Sequence, residues 1–186
     1  MRYIIFDLEA TCWRGRPPKG ITEIIEIGAI KVDRFGDVVG SFSKFVKPTV
    51  NPLLSGFCKN LTSIRQQDVD RANKFSRVLD EFKDWGEMYD EDFILLSWGI
   101  DDQKLLRNDC ILHKEEYDFV DQYIDLKRAY RNLKQIKHAS GLKSTVKKEG
   151  FEFTGLHHRA ISDAENLAKV FIKYLEDWDL YYPQIR

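Results

Sequence analysis

The stretch that most constrains this chain is its beginning, Tyr-Ile-Ile-Phe-Asp-Leu-Glu-Ala-Thr-Cys-Trp over residues 3–13. Tyr3, Ile4, Ile5 and Phe6 form an unbroken apolar run, the pattern of a strand covered on both faces. Its far end carries two acids, Asp7 and Glu9, on either side of Leu8. Residues i and i+2 of a strand point to the same side, so both carboxylates face one way at the end of a buried element. Two carboxylates so close repel and raise each other's pKa unless a cation sits between them. The chain has 30 acidic residues in 186, so an Asp-x-Glu pair has little weight by itself. Two solvated carboxylates at a strand end are the ordinary alternative.

Other elements place further acids in comparable positions. Residues 23–33 and 38–48 read as two more strands, with 34–37 as the turn between them. Residues 15–20 form a loop by their Gly and Pro content, and 48–60 read as irregular. Thr62 or Ser63 is the expected N-cap of a short helix. Phe75, Val78, Leu79, Phe82 and Trp85 recur at helical spacing and predict a helix over 75–89. Residues 92–98 read as a buried strand, 101–110 as a helix, and 119–126 as a fifth strand with a helix after it. A short helix ends at Gly150, and apolar positions from Ala160 to Trp178 mark a long C-terminal helix. The expected fold is α/β, one domain over residues 1–186. It has a five-stranded mixed sheet, a three-strand antiparallel meander plus two parallel strands, flanked by helices.

With 43% hydrophobic and 32% charged residues, a globular protein is expected. No apolar run approaches the roughly 20 residues needed to span a bilayer. The apolar start is too short for a signal segment. Cys12, Cys58 and Cys110 are odd in number and form no CxxC, which suggests neither a disulfide framework nor a zinc site. Together these features predict a cytoplasmic protein with no membrane contact, and nothing in them identifies a protein partner. The net charge of −1 decides nothing about nucleic acid, but its distribution is informative. Residues 126–148 hold Lys127, Arg128, Arg131, Lys134, Lys137, Lys143, Lys147 and Lys148 and no acid. Such a run is either a solvated face or a phosphate-binding strip.

Asp101 and Asp102 follow the fourth strand, where helix N-caps and dipole-favoured acids are also common. Asp163 lies beside the apolar stripe of the last helix, where an unpaired carboxylate is costly. His158 precedes it by five residues, and a surface or capping histidine is its ordinary alternative. Four acids at element ends with no Cys or His pair suit Mg²⁺ or Mn²⁺. Two such ions about 3.5–4 Å apart can clamp the attacking and leaving oxygens of a phosphodiester. A histidine outside the ligand set can take the proton of the attacking water.

At these residues the sequence resembles the DEDDh family of 3′→5′ exonucleases, in the branch of KapD-like proteins and histone-mRNA 3′-exonucleases. "FDLEATCW", "WGIDDQKLL" and "HRAISDA" resemble its three motifs, and "EIIEIGAIKVD", "FSKFVKP" and "LTSI" are similar to the segments between them. The resemblance implies an RNase H-like fold with Asp7, Glu9, Asp102 and Asp163 as the metal-binding acids of a two-ion site. It implies His158, not His157, as the general base. It implies that Thr11 meets the terminal ribose, and that Leu8, Ala10 and Leu61 line the substrate. Trp98 is expected to stack on the terminal base or to be a core residue, and Lys143 to touch phosphate. Asp102, with Leu105 and Leu106 one turn on, fits the second motif, which leaves Asp101 to cap the helix. The expected activity is metal-dependent 3′→5′ hydrolysis of RNA or single-stranded DNA, releasing nucleoside 5′-monophosphates. The alternatives are a non-catalytic nucleic-acid-binding module on the same scaffold, or a hydrolase of dinucleotides and short oligonucleotides.

Overall fold

The computed structural model describes residues 1–89 and 92–178. Strand β1 (Arg2–Ala10) lies in the middle of a five-stranded sheet. On one side it pairs antiparallel with β2 (Ile24–Asp33), which pairs antiparallel with β3 (Val38–Phe45). On the other it runs parallel to β4 (Phe93–Ser97), and β4 runs parallel to β5 (Tyr123–Asp125). The spatial order is β3-β2-β1-β4-β5, the mixed α/β sheet expected from the sequence.

Alternation along β1 divides the core. Ile4, Phe6 and Leu8 pack with residues of α3 (Phe75–Gly86) and α4 (Asp101–His113), among them Val78, Phe82 and Leu106. Ile5 packs on the other face against α5 (Leu126–Leu133), α6 (Leu142–Lys148) and α7 (Ala160–Lys173), with Tyr130, Val146, Ala164 and Phe171 among its cluster. By the period of two, Asp7 and Glu9 continue the Ile5 side and point toward α7. β1, β4 and β5 are parallel, so their carboxyl ends share one edge of the sheet.

The structure departs from the sequence expectations at element ends. Residues 48–60 are not wholly irregular. Ser55 caps α1 (Gly56–Thr62), its hydroxyl accepting from the Cys58 amide at 2.9 Å. Thr62 is therefore the last residue of α1, and Ser63, at φ 59°, is the left-handed residue that ends it rather than an N-cap. The short helix α2 (Gln66–Asp70) follows. The fifth strand is shorter than expected, because Asp118–Asp121 form a 3₁₀ turn. The last helix ends at Lys173. Trp178 regains the core through a turn, with its indole N–H donating to the Phe171 carbonyl at 2.8 Å and its ring stacked on Phe171.

Gly28 controls how closely α7 approaches the sheet. It sits opposite Asp7 on β2. A Cβ there would lie 2.1 Å from the Ile161 nitrogen and 2.2 Å from the Ala160 carbonyl carbon. Both are backbone atoms of the first turn of α7 and cannot swing aside. Gly28→Ala should therefore cost on the order of 1–3 kcal/mol or more, as overpacking does, and push α7 from β1. A lowered urea midpoint with an unchanged m-value is the expected readout; an unchanged midpoint would mean that the first turn moves freely.

Candidate active site

Three elements converge at the carboxyl edge of β1. β1 supplies Asp7 and Glu9, and the first turn of α7 supplies Asp163. One oxygen from each of these three carboxylates lies within 4.8 Å of the others. The first turn of α4 brings Asp102, whose Oδ1 accepts from the Leu8 amide at 3.3 Å. Asp102 is half-buried, whereas Asp101 is exposed. The expected capping role of Asp101 is not realised. Ile100 occupies the N-cap position without a side-chain bond, and Asp101 is already the first helical residue.

Burial and mutual repulsion dominate the electrostatics. Burial, then the charges of Asp102, Asp163 and Glu9, hold the Asp7 carboxyl well above its ordinary range. Burial, followed by Asp163 and Glu26, pushes Glu9 up to about 8. Burial raises Asp102 to about 7, against the pull of the Ser97 hydroxyl and the Leu8 amide. Burial raises Asp163 to about 6, against the pull of the His158 amide. That amide donates to Asp163 Oδ2 at 2.8 Å, while Asp163 Oδ1 is buried with no hydrogen-bond partner among the described residues. A buried acceptor left unpaired is costly. The orphaned oxygen, the converging negative charges and the all-oxygen donor set together fit a hard divalent cation.

His158 has φ 64°, a left-handed conformation uncommon for a side-chain-bearing residue and the kind of strain that collects at functional sites. This turn presents its amide to Asp163. Burial, then the neighbouring His157, lowers the pKa of its imidazole, which keeps the ring neutral at neutral pH. The two imidazoles meet edge to face at 4.0 Å. His157 turns toward Phe153 and lines a hollow of about 460 Å³ with Lys143 and Lys147.

Two residues overlooked in the sequence hold this corner. Glu26 lies opposite Glu9 across the β1–β2 ladder and is 1% exposed. Arg159 grips it with Nε at 3.0 and 3.2 Å and Nη2 at 2.9 Å, and the Ala160 amide donates to its Oε2 at 3.1 Å. A carboxylate at the start of a helix is favoured by the exposed amides there. Glu26 thus ties β2 to the segment between His158 and Asp163. The available signal was an acid inside an otherwise apolar strand, Ile24-Ile25-Glu26-Ile27.

The expected substrate contacts are placed as follows. Thr11 is fully buried, and its hydroxyl accepts from the Glu23 amide at 2.9 Å at the junction of β1 and β2. The Leu8 side chain is buried, and its amide serves Asp102. Ala10 is half-buried, and its carbonyl accepts from the Cys58 thiol. Leu61 is exposed and lines a hollow of about 580 Å³ with Trp13, Arg14 and Phe57. Trp98 is half-buried, its indole N–H donating to the Ser140 carbonyl at 3.1 Å and its ring tilted on Tyr130. Lys143 is exposed beside His157.

Residues 4–171 match the family model described as Exonuclease. A solved structure of the nuclease domain of 3′hExo, a DEDDh family member bound to rAMP, superposes with a TM-score of 0.87 at 31% identity. The match covers 95% of this chain and 92% of that one. The chain belongs to the DEDDh family of exonucleases. Human 3′-5′ exoribonuclease 1 is 32% identical over 181 residues, covering 93% of this chain and 52% of the relative. The probable 3′-5′ exonuclease KapD of Bacillus subtilis is 30% identical over 171 residues, covering 90% and 82%. The chain thus spans about half the length of the exoribonuclease 1 relatives it matches. The sequence expectations of a DEDDh resemblance and an RNase H-like α/β fold both hold.

Protons would compete with any cation for this acid cluster. With Glu9 raised to about 8, Asp102 to about 7 and Asp163 to about 6, protonation as pH falls from 8 to 6 removes ligand charge. Divalent-metal affinity, followed by calorimetric titration, should weaken steadily over that range and release protons on binding. Affinity that does not vary with pH would show that the cluster is not the site.

Proposed function

We propose that the chain is a metal-dependent 3′→5′ exonuclease. In this reading it hydrolyses RNA or single-stranded DNA from the 3′ end and releases nucleoside 5′-monophosphates. The supporting observation is that Asp7, Glu9 and Asp163 converge with an orphaned buried oxygen, Asp102 beside them and a neutral histidine at the same corner. Asp7, Glu9, Asp102 and Asp163 would hold two ions, Mg²⁺ or Mn²⁺. When bound, such ions acidify water and stabilise the charge developing on phosphodiester oxygens.

The chain's own residues do the rest. The neutral imidazole of His158 receives the proton of the attacking water, which its lowered pKa permits at neutral pH. Its amide, bonded to Asp163, fixes the backbone from which the ring projects. Arg159 and Glu26 hold the following turn, so the base and the Asp163 carboxylate keep one relative position. The hollow of Leu61, Phe57 and Trp13 lies at the end of β1, since Ser55 at the start of α1 donates to the Cys12 carbonyl at 2.5 Å. It offers apolar and aromatic surface to a base. In this reading the chain at Leu8, Ala10 and Thr11, which links the acids of β1 to Trp13 in sequence, lies along the terminal nucleotide. Trp98 supports the terminal nucleotide from the β4 side, and Lys143 its phosphate.

A non-catalytic binding module has no use for buried, mutually repelling carboxylates. A hydrolase of dinucleotides would show itself by a preference for the shortest substrates. Among the described residues no helix is long and apolar enough to cross a membrane. Cys12, Cys58 and Cys110 are all free thiols, which suits a reducing compartment such as the cytoplasm.

The test is digestion of matched linear and circular single strands with Mg²⁺ or Mn²⁺ and with EDTA, using the wild type, His158→Ala and His157→Ala. Linear strands should shorten from the 3′ end only with metal. His158→Ala should lose about 10²–10⁴-fold in rate with metal affinity unchanged, while His157→Ala stays near wild type. Equal loss of circular strands would sink the exonuclease reading. A fast His158→Ala with a slow His157→Ala would reassign the base.

A further inference from the structure

At the carboxyl end of β5, a second basic hollow sits on the same sheet edge as the acid cluster. Helix α5 buries Leu126 and Tyr130 and turns the opposite face outward. That face carries Lys127, Arg128 and Arg131, spaced i, i+3 and i, i+4, so like charges stand side by side on one surface. With His138 and Asp125 they line a depression of about 220 Å³. Asp125 is the one acid in the lining; its carboxylate accepts from the Arg128 backbone amide at 3.0 Å, as the cap of α5, which leaves the three cations in excess over it. Among the described residues, Lys134 is the member of the basic run that finds a carboxylate, Glu149, at 3.3 Å. It also lies over the Tyr174 ring and so faces away from the depression. Three cations are thus held together with no ion-pair partner among the described residues.

The depression is joined to the active site through Trp98. The Trp98 ring leans on Tyr130 of α5, and its indole N–H holds Ser140. Residues just before Ser140, His138 and Ala139, line this depression, and residues just after it, Gly141 and Lys143, line the hollow beside His157. Gly99, between Trp98 and α4, has the Lys127 side chain as its neighbour. β1, β4 and β5 end side by side. The edge therefore presents, in order, the acids, Trp98 with Asp102, and the α5 cations.

We propose that the α5 depression, built by Lys127, Arg128, Arg131 and His138, is a backbone-phosphate site for the substrate strand 5′ of its terminal nucleotide. It is reached only by strands longer than the few residues the catalytic corner holds. The proposal rests on the exonuclease reading and deepens it: the substrate class becomes extended strands, gripped through phosphates without regard to base. Contacts of this kind depend on salt, because each phosphate neutralised by a cation releases condensed counterions.

The test compares wild type, the double variant Arg128→Glu with Arg131→Glu, and Arg34→Glu, which reverses a charge in the β2–β3 turn at the opposite edge of the sheet. Turnover of a dinucleotide and of a long single strand is measured with metal. Binding of the long strand is measured by fluorescence anisotropy in EDTA across a salt series. The double variant should bind the long strand about tenfold or more weakly, with a salt slope flattened by roughly 1–1.5 units for two lost single-strand contacts. It should turn over the dinucleotide at the wild-type rate, which also shows the fold intact. Arg34→Glu should leave both substrates and the slope near wild type. Unchanged binding and slope in the double variant would overturn the proposal. So would an equal loss on dinucleotide and long strand, or an equal loss in Arg34→Glu. If the wild type hydrolysed neither substrate, the exonuclease reading would fall, while the binding series would still decide whether this depression grips phosphates.

Discussion

The repulsion among buried carboxylates at the end of β1 is the interaction on which the rest of the structure turns. Asp7 and Glu9 cannot move apart without breaking the central strand of the sheet, which is hydrogen-bonded on both sides. Asp163 and Asp102 are brought against them by the first turns of two helices that the core fixes from opposite faces. The fold thus forces together charges that would separate if free. What the sequence could spend on relieving them, it spends elsewhere: Arg159 is committed to Glu26, one residue across the ladder. The cluster is left needing positive charge from outside the chain.

The surrounding architecture serves the precision of that corner. Gly28 lets the backbone of α7 lie against β2. Glu26 then pins the start of that helix by both the Arg159 side chain and the Ala160 amide. His158 adopts a left-handed turn that brings its amide to Asp163. Each device addresses the same few residues; in the proposed reading they fix the general base relative to its water, where small displacements cost rate steeply.

The sheet, and the gathering of Asp7, Glu9 and Asp163 near Asp102, were legible in the sequence because both rest on strong local signals. Continuous apolar runs predict buried strands, and acids at their ends stand out against them. Leu105 and Leu106 set the helix face that singles out Asp102 in the sequence; the structure half-buries Asp102 against the Leu8 amide and leaves Asp101 exposed. The element ends were less legible. Capping at Ser55 is a single hydroxyl contact within a Pro-containing stretch, and Trp178 keeps helical spacing while leaving the helix. Glu26 and Arg159 escaped notice because they are 133 residues apart and paired only by the fold. The bond between the Thr11 hydroxyl and the Glu23 amide was hidden for the same reason. The basic run was visible as composition, but only the structure separates Lys134, paired with Glu149, from the cations of the α5 depression.

The central claim is that buried carboxylate repulsion burdens the metal-free fold and that a divalent cation relieves it. A carboxyl whose pKa is raised by folding binds its proton more readily folded than unfolded. With Asp163 raised to about 6, Asp102 to about 7 and Glu9 to about 8, the metal-free fold should gain stability as pH falls from 8 to 6. The direct measurement is the thermal midpoint of wild type and Asp7→Asn at pH 8, each with EDTA and with Mn²⁺. The account predicts that Mn²⁺ raises the wild-type midpoint by several degrees. It predicts that Asp7→Asn is the more stable of the two in EDTA and gains far less from the metal. A wild-type midpoint indifferent to Mn²⁺, together with an Asp7→Asn protein less stable than wild type in EDTA, would contradict it.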